Sequence, residues 1–276
     1  MKLKYLGTAA AEGIPGIFCD CENCKKTRAL GGKNIRTRSQ ALIDDTLLID
    51  FPPDTYMHFI THNIPLSKIK SCIITHSHQD HLYPEDIKMR KNGFANLDDK
   101  ETPLTFYSDK SGYDMISATI AGMSEKEAKA VLIKPFEKFY VEGYTITALR
   151  AAHDEKSSPV VYIIEKDGKS IFYSNDTSEY PKESMEYLKN LKKPLDFISL
   201  DCTEACNHPD YVGHLSLERC IALREQLLLD GIADKNTVFI LNHFSHNGKN
   251  VVYDEFKEIA AKHDFLVSYD GMEIEI

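Results

Sequence analysis

The sequence predicts a mixed α/β (α+β) fold of stacked sheets flanked by outer helices. Two observations predict it. Short apolar runs of strand length outnumber the helical stretches, and helices separate sets of strands, which disfavours a doubly wound parallel sheet. With 276 residues, 42% hydrophobic and 10% aromatic, the chain supports one domain over 1–276 and is not a disordered polymer. No internal repeat, low-complexity tract or Gly-, Pro- or Ser-rich linker divides it.

The elements follow in order. Strands are expected at 2–6, 40–43 and 47–49, then a helix over 53–62 with proline in its first turn. Residues 71–75 form a short apolar run between polar flanks, the mark of a buried strand. Residues 84–91 read as a helix and 104–107 as a strand; helices over 110–121 and 125–130 follow, the second capped by Ser124. Strands at 132–134, 144–151, 160–166 and 170–174 come next, with Asp167-Gly168 as a tight hairpin turn. Residues 181–191 are helical and 195–200 a buried strand. Residues 215–229 carry apolar side chains at helical spacing and stop at Gly231. A strand at 237–241, a helix over 253–262 and strands at 265–268 and 272–276 end the chain. Residues 82–130 are expected to be a lid or insertion, because 82–105 is rich in charge.

Charge and cysteine usage narrow the function classes. Lys and Arg number 33 against 42 Asp and Glu, a net −9 that disfavours a broad grip on nucleic acid. No apolar run approaches the ~20 residues of a bilayer span, and Gly7 cuts short any leader at the N-terminus. A cytoplasmic chain with no membrane partner is the expectation. Its seven cysteines then belong to a reducing compartment, as metal ligands or core residues. Cys72, Cys202, Cys206 and Cys220 are scattered and read as small buried hydrophobes.

The most informative segment is Thr75-His-Ser-His-Gln-Asp-His81, directly after a buried strand. Imidazole and carboxylate are the donors that suit Zn, Mn or Fe. In an extended chain His76 and His78 point one way, while Asp80 and His81 on the turn can face a second ion. This H-x-H-x-D-H pattern resembles the signature of the metallo-β-lactamase superfamily, and the resemblance extends along the chain. His153, Asp176 and His243 each follow a predicted strand in the order in which that family places its remaining ligands, and Asp50 resembles its early supporting aspartate.

The resemblance implies a four-layer αββα sandwich and a dinuclear hydrolase. One divalent metal (Zn or Mn) would take His76, His78 and His153; the other would take Asp80, His81 and His243, with Asp176 between them. A hydroxide bridging two such ions is a nucleophile near neutral pH, and the ions stabilise charge on a phosphoryl or acyl oxygen. Asp80 is expected in catalysis as well as ligation.

A second constellation is Cys19-Asp-Cys-Glu-Asn-Cys24. Its spacing is too crowded for a disulfide framework but suits tetrahedral thiolate ligation of zinc, with His246 as candidate fourth ligand. Together with Gly7-Thr8, Glu12-Gly13-Ile-Pro15 and His243-x-x-His246, this cluster resembles the phosphodiesterase family that opens phosphoribosyl cyclic phosphate in phosphonate (C–P lyase) breakdown. That family implies one structural zinc on Cys19, Cys21, Cys24 and His246, and argues against an antibiotic hydrolase. In Tyr211-Val-Gly-His214, at the start of a long helix, the resemblance implies that His214 assists the leaving group, as a proton donor should for an alkoxide. His208 shares that loop with less support. Asp201-Cys-Thr-Glu204 follows a buried strand and is expected to line the pocket. His58, His62 and His263 read as helix-surface residues.

The expected activity is hydrolysis of a small anionic cyclic or diester phosphate, by a homodimer, with no extended nucleic acid as partner. The alternatives of the same fold are a lactone or thioester hydrolase and a transfer-RNA 3′-end nuclease. The nuclease would need a basic, Gly-rich arm that the sequence lacks. A non-catalytic metal-binding module would be expected to lose a ligand, and none of the seven is lost.

Overall fold

The structure is a computed structural model that describes residues 1–207 and 213–276. In chain order its elements are β1 (Lys2–Gly7), α1 (Glu22–Leu30), β2 (Gln40–Ile43), β3 (Leu47–Ile49), α2 (Thr55–His62), β4 (Ser71–Ile73), β5 (Leu104–Ser108), α3 (Lys110–Ile120), β6 (Ala128–Leu132) and β7 (Lys138–Val141). There follow β8 (Tyr144–Arg150), β9 (Val160–Lys166), β10 (Lys169–Ser174), α4 (Lys182–Lys189), β11 (Phe197–Asp201), α5 (Leu217–Leu229), β12 (Val238–Asn242), α6 (Tyr253–Ala261), β13 (Leu266–Val267) and β14 (Glu273–Glu275). No helix among the described residues is long and apolar enough to cross a membrane.

Alternating apolar residues build two sheets with one face each toward the other. One sheet has the order β14-β1-β2-β3-β4-β5-β6, the other β13-β12-β11-β10-β9-β8-β7. Each contains three antiparallel pairings followed by three parallel ones, a repetition of pairing with no sequence repeat behind it. Between the sheets lie Leu3, Tyr5, Ile43, Ile49, Ile146, Tyr162, Ile171, Tyr173 and Phe197. Burying each large apolar side chain contributes ~1.5–3 kcal/mol. The tyrosine hydroxyls in this layer must find partners: Tyr5 donates to Ser199 Oγ at 2.8 Å and Tyr162 to the Ile74 carbonyl at 2.6 Å, tying sheet to sheet. Outer helices cover both remaining faces, with Phe106, Ile116 and Leu48 on one side and Leu227, Phe239 and Phe256 on the other. The result is the expected four-layer sandwich.

Three local expectations are corrected. Residues 125–130 are not a helix: Ser124 and Glu127 box a single turn, Ser124 N–H donating to Glu127 Oε2 at 2.9 Å, and β6 then pairs with β5. The strand expected at 132–134 is therefore displaced to Ala128–Leu132. Pro84–Arg90 winds as a tighter 3-10 helix. Two elements, α1 and β7, have no counterpart in the sequence reading. Within 82–130, β5, α3 and β6 complete the first sheet and its helix layer, while 91–103 contains no helix or strand.

Candidate metal centre

Parallel pairing sets where the site forms. β3 and β4 run the same way, as do β10, β11 and β12, and β8 shares their direction through two antiparallel steps. Their carboxyl ends meet at one edge of the sandwich, the place where open α/β sheets keep their ligands. Asp50 leaves β3, His76–His81 follow β4, His153 follows β8, Asp176 follows β10, Asp201 ends β11 and His243 follows β12.

These ends bring the seven sequence-predicted residues into two adjoining groups. In the first, His76 Nε2 lies 3.0 Å from His78 Nδ1, which lies 3.2 Å from His153 Nε2. In the second, His81 Nε2 is 3.2 Å from His243 Nε2 and 3.3 Å from Asp80 Oδ2. Nitrogens held ~2.0–2.1 Å from one tetrahedral ion sit about 3.4 Å apart, so the spacings match donors that share a cation. Asp176 spans the groups. Its Oδ1 is 2.9 Å from His243 Nε2 and 3.3 Å from His81 Nε2, and its Oδ2 is 3.7 Å from His76 Nε2 and 3.8 Å from His153 Nε2.

Two further observations test the fit to a divalent metal. Asp176 Oδ1 is buried with no hydrogen-bond donor directed at it, despite the imidazoles around it. A buried carboxylate oxygen left so is costly unless a cation takes its lone pairs. The basin is also short of positive charge. Burial alone would lower the His81 pKa, but Asp176, Asp80 and Asp50 outweigh it and raise it well above the usual value. His76, where burial dominates, is pushed well below and stays neutral, the form that ligates. The donor set fits.

Each ligand ring is aimed by a partner behind it, as metal-binding imidazoles require. Asp50 Oδ2 lies 2.7 Å from His81 Nδ1, Thr203 Oγ1 2.9 Å from His243 Nδ1, Thr75 Oγ1 3.1 Å from His76 Nδ1, and Asp154 Oδ2 3.2 Å from His78 Nε2. His243 itself has a φ of 64°, an uncommon conformation for a residue with a side chain. The sequence pointed to Asp50 and to Asp201-Cys-Thr-Glu204 as neighbours of the site, but the alignment of His243 by Thr203 was not foreseen. A short polar D-x-T directly after a buried strand was its signal.

His214 stands beside both groups, its ring centroid 4.9 Å from that of His153 and 5.7 Å from that of His243. Its Nδ1 lies 2.8 Å from Asp201 Oδ2, a fully buried carboxylate. Burial lowers its pKa, but Asp201, with Asp176 and Glu204, outweighs burial and holds it up at about 9. Cations in the basin would draw it back toward neutrality. His208, Tyr211 and Val212 lie outside the described residues. A cavity of about 780 Å³ opens beside His153, lined among others by Arg150, Asp154, Ser178, Glu183 and Gly213, a volume suited to a small molecule.

The cysteine corner is separate. Cys19, Cys21, Cys24 and His246 present donors that all lie within 4.8 Å of one another. Cys21 caps α1 by accepting from Cys24 N–H, and Gly16 N–H donates to Cys24 Sγ at 3.2 Å. Burial raises the Cys21 thiol, but the Cys24 amide and His246 outweigh it and bring it down to about 6, the thiolate side of neutrality. Gly16 packs so closely that a Cβ there would come within 2.9 Å of the His246 ring. The four donors and this tight cradle fit a tetrahedral zinc.

His58 corrects the sequence reading. It is buried, 1% exposed, and hydrogen-bonded on both ring nitrogens. His62 is half-buried with Nε2 3.3 Å from the Leu6 carbonyl, and His263 is exposed as expected.

Residues 45–240 match the family described as the β-lactamase superfamily domain. Among solved structures, the chain is similar to a diphosphatase from the PhnP family at 21% identity and a TM-score of 0.73, covering all of this chain and 96% of that one. It is similar to Zn(2+)-bound PqqB from Methylobacterium extorquens at 18% identity and a TM-score of 0.77, over 100% of both chains. It is also similar to the short form of human tRNase Z, at 16% identity and a TM-score of 0.66, over 100% of this chain and 99% of that one. At such identities the likeness is one of fold. No curated protein sequence matches the chain.

Proposed function

The chain belongs to the β-lactamase superfamily and is a hydrolase of that metal-using fold; from this premise we propose that it is a dinuclear phosphodiesterase acting on a small cyclic or diester phosphate. His76, His78 and His153 would hold one divalent cation, and Asp80, His81 and His243 the other, with Asp176 shared. Bound there, the pair supplies Lewis-acid stabilisation of a phosphoryl oxygen and acidifies water near neutral pH.

The protein's own side chains do the rest. Asp50, Thr75 and Thr203 fix the imidazoles before substrate arrives, so no reorganisation is required during reaction. Asp80 also takes up the proton of the attacking water. Asp201 holds His214 by Nδ1, and His214 passes the proton on Nε2 to the departing ester oxygen. The single observation that carries the phosphodiester reading is this Asp201–His214 pair at the edge of the basin. An alkoxide leaving group needs such a donor and a thiolate does not, which disfavours a thioester; a lactone also releases an alkoxide and is separated by the test below. The cavity size and the net −9 charge favour a small substrate over an RNA.

The test is hydrolysis of bis(p-nitrophenyl) phosphate and an alkyl diester beside a lactone, a thioester and a precursor transfer RNA, with and without chelator. Chelator-sensitive diester hydrolysis is expected. Turnover of lactone or thioester without diester cleavage would overturn the reading, and cleavage confined to the RNA would assign the nuclease.

A further inference from the structure

A line of buried polar groups runs from the far side of β2 to the back of the metal basin, and beyond Asp50 no step above uses it. At its inner end is Asp50, which has a φ of 68°. A left-handed residue with a side chain costs on the order of 1–3 kcal/mol and persists only where its surroundings over-determine it. This conformation turns the Asp50 carboxylate to accept from Thr75 N–H at 2.7 Å and to meet His81 Nδ1 at 2.7 Å. The Asp50 carbonyl on the other side accepts from Gln40 Nε2 at 2.9 Å. Gln40 is fully buried, and its Oε1 lies 2.6 Å from His58 Nδ1, while His58 Nε2 lies 2.7 Å from Thr37 Oγ1.

The hydrogen-bond directions from Thr55 to His58 are fixed; beyond them Thr37 Oγ1 has one proton to share between His58 Nε2 and Asp270 Oδ2. Thr55 Oγ1 donates to the Pro52 carbonyl, so toward Gln40 it can only accept. Gln40 must therefore present its amide nitrogen to Thr55 and to the Asp50 carbonyl, and its oxygen to His58. His58 then carries its proton on Nδ1. Burial, which pushes His58 down to about 3, agrees with a ring holding a single proton.

We propose that Gln40 and His58 are positioning residues for the metal basin: they hold the left-handed backbone of Asp50, from which its carboxylate aims His81. The proposal rests on the metal-dependent reading above. Neither residue touches a ligand atom; both act through Asp50. Groups that orient a ligating histidine typically alter metal affinity by ~10–100-fold when lost.

The test is Zn2+ affinity of the full chain, by competition with a chromophoric chelator, beside thermal melting of the cation-free protein. His58→Leu and Gln40→Met remove the fixed donor. His58→Asn keeps an N–H where Nδ1 stood. Leu and Met are expected to weaken the basin ~10–100-fold, and Asn to remain within about three-fold of the wild type, at similar melting temperatures for the two His58 variants. The cysteine corner should keep its own zinc in every variant, as an internal reference. If His58→Leu does not fold, Gln40→Met and His58→Asn make the same comparison. Unchanged affinity in the Leu or Met variant, or equal loss in Leu and Asn, would overturn the positioning role alone. A wild-type basin with no cation affinity would overturn the metal-dependent reading first, and the positioning role with it.

Discussion

The histidine basin and the cysteine corner offer metal donors of opposite construction. In the basin, seven donors arrive from the ends of four strands, and most are buried and aimed by a second group. In the corner, three of four donors lie within six residues of one loop and helix start, and Cys21 is exposed. The basin is preformed by the sandwich, so a cation there adds chemistry to an existing shape. The corner joins residues 19–24 to His246 across the chain, so a cation there would add folding energy.

The sharpest way to break this contrast is Asp176→Ala. Removing the carboxylate that spans both groups should cost more than the ~10–100-fold in metal affinity that supporting groups cost, and abolish diester hydrolysis with little change in the melting temperature of the cation-free protein. Elemental analysis of the wild type should give about three metal equivalents, two for the basin and one for the corner. One or none after supplementation would remove the dinuclear reading.

His214→Ala comes next. It should lose ~10²–10⁴-fold on an alkyl diester and far less on the nitrophenyl ester, whose leaving group needs no proton, with metal content unchanged. Equal losses on both substrates would make His214 a phosphate-positioning group.

Cys21→Ser reverses the pattern. It should release one zinc and lower stability by ~3 kcal/mol, about 6–12 °C in Tm, while turnover at low temperature stays within a few-fold. Full stability with lost activity would make the corner catalytic.

The smallest effect concerns neither site directly. Asp270 accepts from the Thr8 hydroxyl and the Thr37 amide, and its Oδ2 lies 2.6 Å from Thr37 Oγ1. Burial raises its pKa to about 6 from 3.8, against the pull of those bonds and of Arg36. A carboxyl raised on folding binds its proton more tightly in the native state. Its contribution is therefore fully present below pH 4 and lost as pH rises through 6, by about 1–3 kcal/mol. The difference in melting between wild type and Asp270→Asn should change from pH 4 to 6 and level off above it.

How much of this was legible depended on how local each signal was. The His76–His81 motif lies in one turn, so its donors could be read directly, and His153, Asp176 and His243 followed from the ligand order of the resembled family, matched to strand ends. α1 was missed because Cys24 and Thr27 are its only buried residues, which leaves no apolar stripe to read. β7 is an edge strand with just Val141 buried. His58 misled for a sharper reason. In α2 the apolar Tyr56, Met57, Phe59 and Ile60 are the exposed residues, while Thr55 and His58 are buried. Periodicity assumes that apolar side chains face inward; here a polar network fixes the helix the other way round.

The repeated pairing order of the two sheets has a thermodynamic consequence. His76, His78, Asp80 and His81 come from the first sheet's half of the chain, and His153, Asp176 and His243 from the second's. Neither of the two proposed ligand groups is complete within one half. Occupancy of the basin therefore reports docking of one half against the other, and mass action makes the linkage reciprocal. A cation bound only when the halves are docked stabilises the docked state by an amount that grows with the logarithm of its free concentration.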